Sequence, residues 1–330
     1  MIEPAIEAAI TVFGLLLVTF VLGRVVPIDP VLAMVGERAS AETYAAARAA
    51  MGLDRPLPVQ FWLYLSGLAR GDLGVSVVTG RTVLEDIVRV FPATIELATV
   101  AIAIGVAGGV PAGIWAARKR GRWPDFLVRV VALIGYSAPA FFLAMVALLL
   151  FYAWLGWSVG PGRLDIHFEE IVPPVTGLIT LDSALAGEWQ ILGNALAHLL
   201  LPASVLGYFS TATIARMTRS LMIEQLGRDY VAAARAKGLS EARVVWRHAL
   251  GNALVPLITV VALTYGSLLE GSVLTETVFA WPGLGAYLTM ALLNADMNAV
   301  LGATLIVGVV FLALNRLADF AYWLVDPRTR

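Results

Sequence analysis

The side chains that most often carry enzyme chemistry are scarce in this chain. It has no cysteine, which excludes disulfides, thiol nucleophiles and thiolate metal sites. Its three histidines, His167, His198 and His248, are far apart and lack the spacing of metal ligands. Neither of its lysines, Lys119 and Lys237, belongs to a phosphate-binding loop of the form GxxxxGK[ST]. The sequence therefore predicts no metal site, no cofactor held by this chain and no ATPase activity of its own.

The composition indicates where such a chain resides. Its 330 residues are 59% hydrophobic and 14% charged, with a mean hydropathy of +0.81. Soluble domains are about 45–50% apolar and about 25% charged. The formal net charge of −1 provides no basic field for nucleic acid. These values argue against a soluble enzyme, a disordered chain and a nucleic-acid-binding protein, and they favour a membrane protein with several spans.

Six apolar stretches are long enough to cross a bilayer, whose core of about 30 Å needs about 20 residues of helix. They run from about Ala8 to Gly23, Leu97 to Ala117, Val130 to Leu155, Ala195 to Ala215, Ala253 to Val273, and Ala299 to Leu324. The first lacks the basic flank and cleavage site of a signal peptide, so we expect it to be retained. Pro139 predicts a kink in the third. We predict an all-α integral membrane protein with about six transmembrane helices.

The organisation of the chain follows from these spans. Residues 1–24 form the first transmembrane helix, residues 25–92 an external subdomain and residues 93–330 the main transmembrane domain. The external subdomain has two helical patterns, Ala41–Met51 and Val59–Leu68, separated by glycine and proline.

Lysine and arginine in the connecting loops predict the orientation. Segments 118–129, 216–250 and 316–330 together carry fifteen basic residues, whereas segments 156–194 and 274–298 carry one, Arg163. The three basic segments are therefore predicted to face the cytoplasm. Six spans then place both termini on the cytoplasmic side.

The most informative cytoplasmic stretch is 228–250, which reads as a helix, a break and a second helix. Ala232–Ala236 has strong helix propensity and little side-chain bulk. Gly238 follows Lys237, as in a left-handed cap after a basic last turn, so we expect a positive φ there. Ser240 is predicted to cap the next helix. From the residues alone, this stretch is either a solvated basic loop or a docking helix.

This stretch resembles the EAA loop of membrane subunits in binding-protein-dependent ABC importers, since Ala233, Ala234 and Gly238 fit the pattern A-A-x-x-x-G. Its flanks are similar to the dipeptide/oligopeptide/nickel permease branch. Two departures are Ala232 in place of a family glutamate and 248–251 in place of an apolar-x-Leu-Pro group. Further similarities extend along the whole chain, at Asp29-Pro30, 52–60, 71–74, 92–94, 276–285 and Asp326-Pro327-Arg328.

The resemblance implies a type I ABC importer permease fold and a translocation subunit for peptides or related small solutes, working by alternating access. Its implied partners are a second homologous permease, two ATPases that bind ATP and Mg, and an extracytoplasmic substrate-binding protein. Loop 216–250 would carry the coupling helix. The implied ATPase contacts are Ala232, Ala233, Ala234, Arg235, Lys237, Gly238, Leu239 and Ser240, with Ala233 and Ala234 on the docking face.

Two other classes stay open at this point: a self-contained secondary transporter or channel, and a membrane scaffold without a pathway. The A-A-x-x-x-G segment favours the importer subunit, because neither alternative needs it. An importer of this kind is expected in the cytoplasmic membrane of the cell.

Four residues are candidates for the solute pathway or its gate: Glu270, Glu276, Trp281 and Gly283. Glu270 ends an apolar run and is either hydrated at the membrane surface or part of the pathway. Trp281 and Gly283 lie in a sequence that predicts a tight turn after a short helix, which the resemblance places at the external gate or a binding-protein contact. Glu96 is expected in the first turn of the second span, where a carboxylate complements the helix dipole.

Overall fold

The computed structural model describes residues 2–25, 30–36 and 38–325, and within them the chain is helical, with one isolated antiparallel bridge between Val75 and Thr82 and no β-strand. The helices are α1 Ile2–Val25, α2 Pro30–Val35, α3 Ala41–Ala50, α4 Leu57–Leu68, α5 Val83–Arg118, α6 Trp123–Ser137, α7 Ala140–Ala147, α8 Ile179–Ala186, α9 Trp189–Leu226, α10 Asp229–Ala236, α11 Glu241–Arg243, α12 Leu250–Gly271, α13 Val273–Val278, α14 Leu284–Leu293 and α15 Met297–Val325. Leu148–Trp154 and Val244–Ala249 are π-helical, and Ile166–Phe168 forms a 3₁₀ turn.

The prediction of an all-α membrane protein is confirmed. Four helical segments are long and apolar enough to cross a membrane: Val83–Arg118, Trp189–Leu226, Glu241–Gly271 and Met297–Leu317. A bent helix pair makes a fifth span if it is counted as one. Helix α1 covers the first predicted span, with Ile10–Val21 as its apolar part. The two helical patterns predicted for residues 41–68 are confirmed as α3 and α4. Asp29 and Asp326–Arg328 lie outside the described residues.

The third predicted span, 130–155, is not a kinked helix. The chain bends by 102° between Trp123–Ser137 and Ala140–Trp154. Ala138 is extended, with φ −83° and ψ 133°, and Pro139 precedes the next helix. The ring of a proline disfavours helical geometry in the residue before it, which explains why the helix ends here instead of bending.

The second predicted span also begins elsewhere. Helix α5 starts at Val83 and continues through Pro92 to Arg118 as one helix of 36 residues. Glu96 therefore lies in the middle of a helix and not in its first turn. Charged residues in the opening turns, such as Glu85 and Asp86, interrupt the apolar pattern, and for this reason hydropathy alone located the start too late.

The chain divides into two compact units, which we describe separately. The first comprises Met1–Pro92 and Pro282–Leu312. Its core packs Val83 and Ile87 against Ala291, Ala299 and other apolar residues. Beside this core, the fully buried carboxylate of Asp296 accepts a hydrogen bond of 2.5 Å from the hydroxyl of Ser76.

The second unit comprises Ala93–Trp281 and Ala313–Arg330. In it α5 and α9 approach closely along glycines spaced four residues apart. A Cβ atom at Gly105 would lie 2.3 Å from the Cβ atom of Ser210, and one at Gly109 would lie 2.9 Å from that of Ile214. At Gly113 it would lie 2.6 Å from the carbonyl oxygen of Ala215. Small residues at this spacing allow transmembrane helices to pack backbone to backbone.

The C-terminal half of α9 also packs against the elements that follow it in sequence. Met222 of α9 packs with Val245 and Ala249 of the π-helical segment and with Ala253 and Leu257 of α12. This buried cluster fixes both ends of the short connection that contains α10. The connection that contains α10 is therefore held in place by packing within the second unit and is not a free loop.

Candidate functional site

Helix α10 and the turn after it are the centre of the candidate site. The alanine-rich sequence favours a helix from Asp229 to Ala236, and the next helix begins at Glu241. Gly238 has a φ of +76°, which confirms the predicted left-handed cap. The amide of Gly238 donates to the carbonyl oxygen of Arg235 over 2.9 Å, and that of Leu239 donates to Ala234 over 3.3 Å. These two bonds form a Schellman motif, which satisfies carbonyl groups at the helix end.

The two faces of α10 have different surroundings. Val231 and Ala234 are buried and pack against Val244 of the π-helical segment. Five small or basic residues on the remaining surface are exposed: Ala232, Ala233, Arg235, Ala236 and Lys237. The prediction that Ala233 and Ala234 share one outward face is wrong, because Ala234 faces the core of its own chain. The residue that decides this is Val244, ten positions further along the sequence.

One ion pair, between Arg235 and Glu241, spans the turn after α10. Arg235 Nε lies 2.6 Å from Glu241 Oε1, with both side chains about half exposed. This hydrogen bond raises the pKa of the Arg235 guanidinium above its usual value. Ser240 occupies the N-cap position in an extended conformation, but its side chain makes no capping hydrogen bond, so the predicted cap is wrong. Instead, the exposed Arg235–Glu241 pair connects the end of α10 to the first residue of α11.

A buried ion pair lies on α5 in the same unit. Glu96 Oε2 accepts hydrogen bonds from Arg163 Nη2 and Nε, at 2.6 and 3.0 Å. Its other oxygen accepts from the amide and hydroxyl of Thr180, at 2.9 and 2.6 Å. Because Glu96 is only 5% exposed, these four bonds replace its hydration shell. Sequence reasoning missed this site, although Arg163 stood out as the one cation in the acidic segment 156–194.

Two of the four gate candidates also attach to this part of α5. The carboxylate of Glu276 is fully buried and accepts hydrogen bonds from the hydroxyls of Thr94 and Ser272, at 2.7 and 3.0 Å. Trp281 is also fully buried, and its indole Nε1 donates to the carbonyl oxygen of Ala93 over 2.9 Å. The structure thus brings Glu276 and Trp281 together on one turn of α5, where both hold α13 in place.

The turn that the sequence predicts at 281–285 lies earlier, at 279–280, directly after the short helix α13, and Leu284 and Gly285 already belong to α14. Ala280 has a φ of +48°, and the amide of Trp281 donates to the carbonyl oxygen of Glu276 over 2.8 Å. An alanine in the left-handed region costs about 1 kcal/mol. The turn keeps this strained residue between two buried anchors, Glu276 and Trp281.

The other two gate candidates are placed differently. Glu270 is the penultimate residue of α12 and is exposed. Within the described residues it makes no hydrogen bond or ion pair. Gly283 belongs to the first unit, where it is buried at the N-terminus of α14 and its carbonyl oxygen accepts from the amide of Tyr287 over 3.0 Å. Glu270 is therefore the candidate whose side chain is free to meet a solute.

A further polar cluster in the second unit joins Asp165 to Asn194 and His198 in the N-terminal part of α9. His198 is 5% exposed, and its Nε2 lies 3.3 Å from Asp165 Oδ1. Asp165 also accepts from Asn194 Nδ2 over 2.6 Å. The Asn194 bond and then the His198 bond lower the pKa of Asp165. His198 therefore serves as a buried hydrogen-bonding partner of Asp165. In the described part of the chain, no three His, Asp or Glu side chains are arranged to hold a metal ion.

Comparisons with known proteins cover nearly the whole chain. Residues 109–330 match the family described as binding-protein-dependent transport system inner membrane component, and residues 1–98 match its N-terminal companion family. The probable D,D-dipeptide transport system permease protein DdpB of Escherichia coli is 44% identical over 321 residues, covering 97% of this chain and 94% of that protein. The di/tripeptide transport system permease protein DppB of Pseudomonas aeruginosa is also 44% identical, covering 97% of this chain and 95% of that protein.

The fold has a counterpart among solved structures. The MetNI methionine ABC transporter, in an inward-facing conformation, contains a chain that aligns with a TM-score of 0.51 and 20% identity, covering 75% of this chain and 98% of that one. At this identity the likeness concerns the fold alone, and it supports the type I permease architecture. The family match covers more than half of the residues, and the chain therefore belongs to the binding-protein-dependent transport system inner membrane components, the membrane-embedded translocation subunits of ABC importers.

Proposed function

We propose that this chain forms half of the translocation pathway of a peptide importer, with a second homologous permease as the other half. The substrate class is supported by relatives with 43–44% identity that are named for D,D-dipeptide, di/tripeptide and dipeptide transport. An extracytoplasmic binding protein delivers the peptide. Two ATPase subunits, which bind ATP and Mg, supply the energy.

The observation that carries the coupling part of this proposal is the two-faced construction of α10. Its inner face is fixed by Val231 and Ala234, and its outer face presents Ala232, Ala233 and Lys237. Small side chains let the backbone of a helix approach a groove on another protein closely. Because the inner face packs against Val244, a displacement of α10 by a bound partner would also displace the π-helical segment and α12. We assign the outer face, with Arg235 and the turn Gly238–Ser240, to contacts with an ATPase.

The coupling assignment is tested by Gly238→Val in the complete complex with both ATPases, the second permease and the binding protein. A β-branched residue at positive φ costs at least about 1 kcal/mol, so α10 loses its end geometry. We expect normal amounts of chain in the membrane and loss of ATP-driven peptide uptake. Gly251→Val is the matched control, because Gly251 is exposed, has no positive φ and would bring its Cβ within 4 Å of no other atom. Full uptake with Gly238→Val would overturn the assignment.

The orientation is a separate part of the proposal. We place α10, the basic segments and both termini in the cytoplasm. Since the chain has no cysteine, single cysteines at Arg120 and Arg243 should react with a membrane-impermeant thiol reagent only after the cytoplasmic side is opened. Cysteines at the exposed residues Asp54 and Glu188 should react in intact spheroplasts. Labelling of an Arg243 cysteine in intact spheroplasts would reverse the topology.

We propose that α12 lines the solute pathway. Asn252, Thr259, Ser267 and Glu270 fall within a sector of about 80° on this helix and extend over about 27 Å, nearly the thickness of a bilayer core. Polar and charged side chains on a membrane-spanning helix face water or protein and not lipid. Glu270, at the end of the stripe, is the pathway residue. Glu276, Trp281 and Gly283 act at the gate by positioning α13 and α14.

The pathway assignment is tested with single cysteines along α12 in the assembled importer. Positions Thr259, Leu263 and Ser267, on the polar side, should react with a hydrophilic thiol reagent, and added peptide should slow the reaction. Positions Val261 and Ala262, which line an apolar groove on another side of α12, should stay unreactive. Equal reactivity on both sides would remove α12 from the pathway without affecting the coupling proposal.

A further inference from the structure

A cavity of about 420 Å³ between α6 and α9 combines apolar walls with arginine side chains. Phe126, Leu133 and Tyr136 of α6 form its apolar part, and Arg129, Arg216 and Arg219 supply the charge. Phe126 and Leu133 are both 63% exposed, so the apolar walls open outward. The cavity is distinct from α10 and from the polar stripe on α12.

The charges of this cavity are unbalanced. Arg219 is neutralised by Asp125, whose carboxylate oxygens lie 2.5 and 3.0 Å from Nε and Nη2 of the guanidinium. Arg216 lies over the ring of Tyr136, with its Cζ atom 4.9 Å from the ring centre. Within the described residues, neither Arg216 nor Arg129 forms an ion pair. Two positive charges therefore remain for a ligand from outside the chain.

The position of the cavity along the helices indicates a site at a membrane surface. Arg129 lies two turns into α6, just after the basic turn that ends at Arg122. Arg216 and Arg219 lie in the last three turns of α9, which leads into α10. In the orientation proposed above, this is the boundary between the membrane and the cytoplasm, where anionic head groups concentrate.

We propose that this cavity is a binding site for an anionic phospholipid of the cytoplasmic leaflet. The lipid phosphate binds the guanidinium groups of Arg129 and Arg216, which favour phosphate because they donate in a planar fork. An acyl chain packs along Phe126 and Leu133. A soluble phosphate ion or a peptide carboxylate would satisfy the arginines but would leave these walls uncovered, which favours the lipid.

The test titrates fluorescent phosphatidylglycerol into the purified full-length chain in neutral detergent, with unlabelled competitors. Unlabelled phosphatidylglycerol should displace the probe, whereas phosphatidylcholine, inorganic phosphate and a dipeptide should not. Each arginine near an anionic lipid contributes about fivefold in affinity, so R129Q/R216Q should bind about 30-fold more weakly. L133N should weaken the binding of lipid as well. Displacement by phosphate or by the dipeptide would overturn the proposal in favour of a free-anion or a solute site.

Two double variants serve as controls. R120Q/R122Q removes the same charge from the preceding turn and should weaken binding clearly less than R129Q/R216Q does, because neither side chain lines the cavity. R129K/R216K keeps the charge but not the planar fork, so its affinity should lie between those of the wild type and R129Q/R216Q. R129Q/R216Q and R120Q/R122Q both leave the Asp125–Arg219 pair intact, so both variants should fold, as checked by gel filtration. If R129Q/R216Q does not elute as a folded protein, the single variants R129Q and R216Q are measured instead. Wild-type affinity in both single variants would refute the site.

Discussion

The carboxylate of Glu96 is almost fully enclosed and bonded to Arg163 and Thr180, whereas the side chains of the Arg235–Glu241 pair, which joins α10 to α11, are 44% and 53% exposed. Both are arginine–carboxylate pairs with a shortest distance of 2.6 Å. Their energetic consequences differ because solvent screens only the second. The Glu96–Arg163 pair therefore stabilises the second unit, whereas the Arg235–Glu241 pair lies on the proposed docking surface and contributes little to stability.

The largest effect is expected from breaking the enclosed pair. Arg163→Met leaves the Glu96 carboxylate buried with only Thr180 as its partner, which should cost about 3–5 kcal/mol. We expect a lower unfolding temperature of the purified chain in detergent and poor recovery from membranes. The measurement is thermal unfolding followed by the loss of the monodisperse gel-filtration peak.

The double variant Glu96→Gln/Arg163→Met is the matched control for this prediction. It removes both charges and leaves an amide that still accepts from Thr180, so it should recover a large part of the lost stability. If Arg163→Met alone unfolds at the wild-type temperature, the pair is not a structural support and the contrast with α10 disappears.

An intermediate effect should separate the two faces of α10. Ala234→Glu introduces a carboxylate against Val231 and Val244 and should destabilise the second unit by about 2 kcal/mol. Ala233→Glu places the same group in solvent, so the unfolding temperature should stay unchanged. Both should reduce ATPase association, measured by co-purification, but Ala233→Glu should do so in a fully stable chain. Equal losses of stability in the two variants would show that α10 has no free face.

The smallest effect is expected at the exposed pair. Glu241→Ala removes the partner of Arg235 and should cost no more than about 0.5 kcal/mol, since half-exposed ion pairs contribute little. Uptake should be reduced at most slightly, because Arg235 remains available for a partner. A loss of several kcal/mol in a denaturation experiment would show that this exposed pair stabilises the fold as strongly as the buried Glu96–Arg163 pair does, which would contradict the prediction.

The features that the sequence predicted depend on local or periodic signals. Apolar runs located four of the six predicted spans as long apolar helices, and Gly238 after a basic turn indicated a left-handed residue, because both signals act within a few residues. The bend at Pro139 was expected as a kink, since the sequence shows that a proline interrupts a helix but not by what angle. The pairing of Glu96 with Arg163 joins residues 67 positions apart, and no local pattern encodes it. The same holds for the burial of Ala234, which Val244 determines.

The glycines of α5 make this helix and α9 a single mechanical part. Because Gly105, Gly109 and Gly113 leave no room for even a methyl group, sliding one helix past the other would drive backbone into side chains at three successive turns. We therefore expect the pair to rotate or tilt as one rod. A displacement of α10, which follows the end of α9, would then move the glycine-bearing part of α5 together with α9.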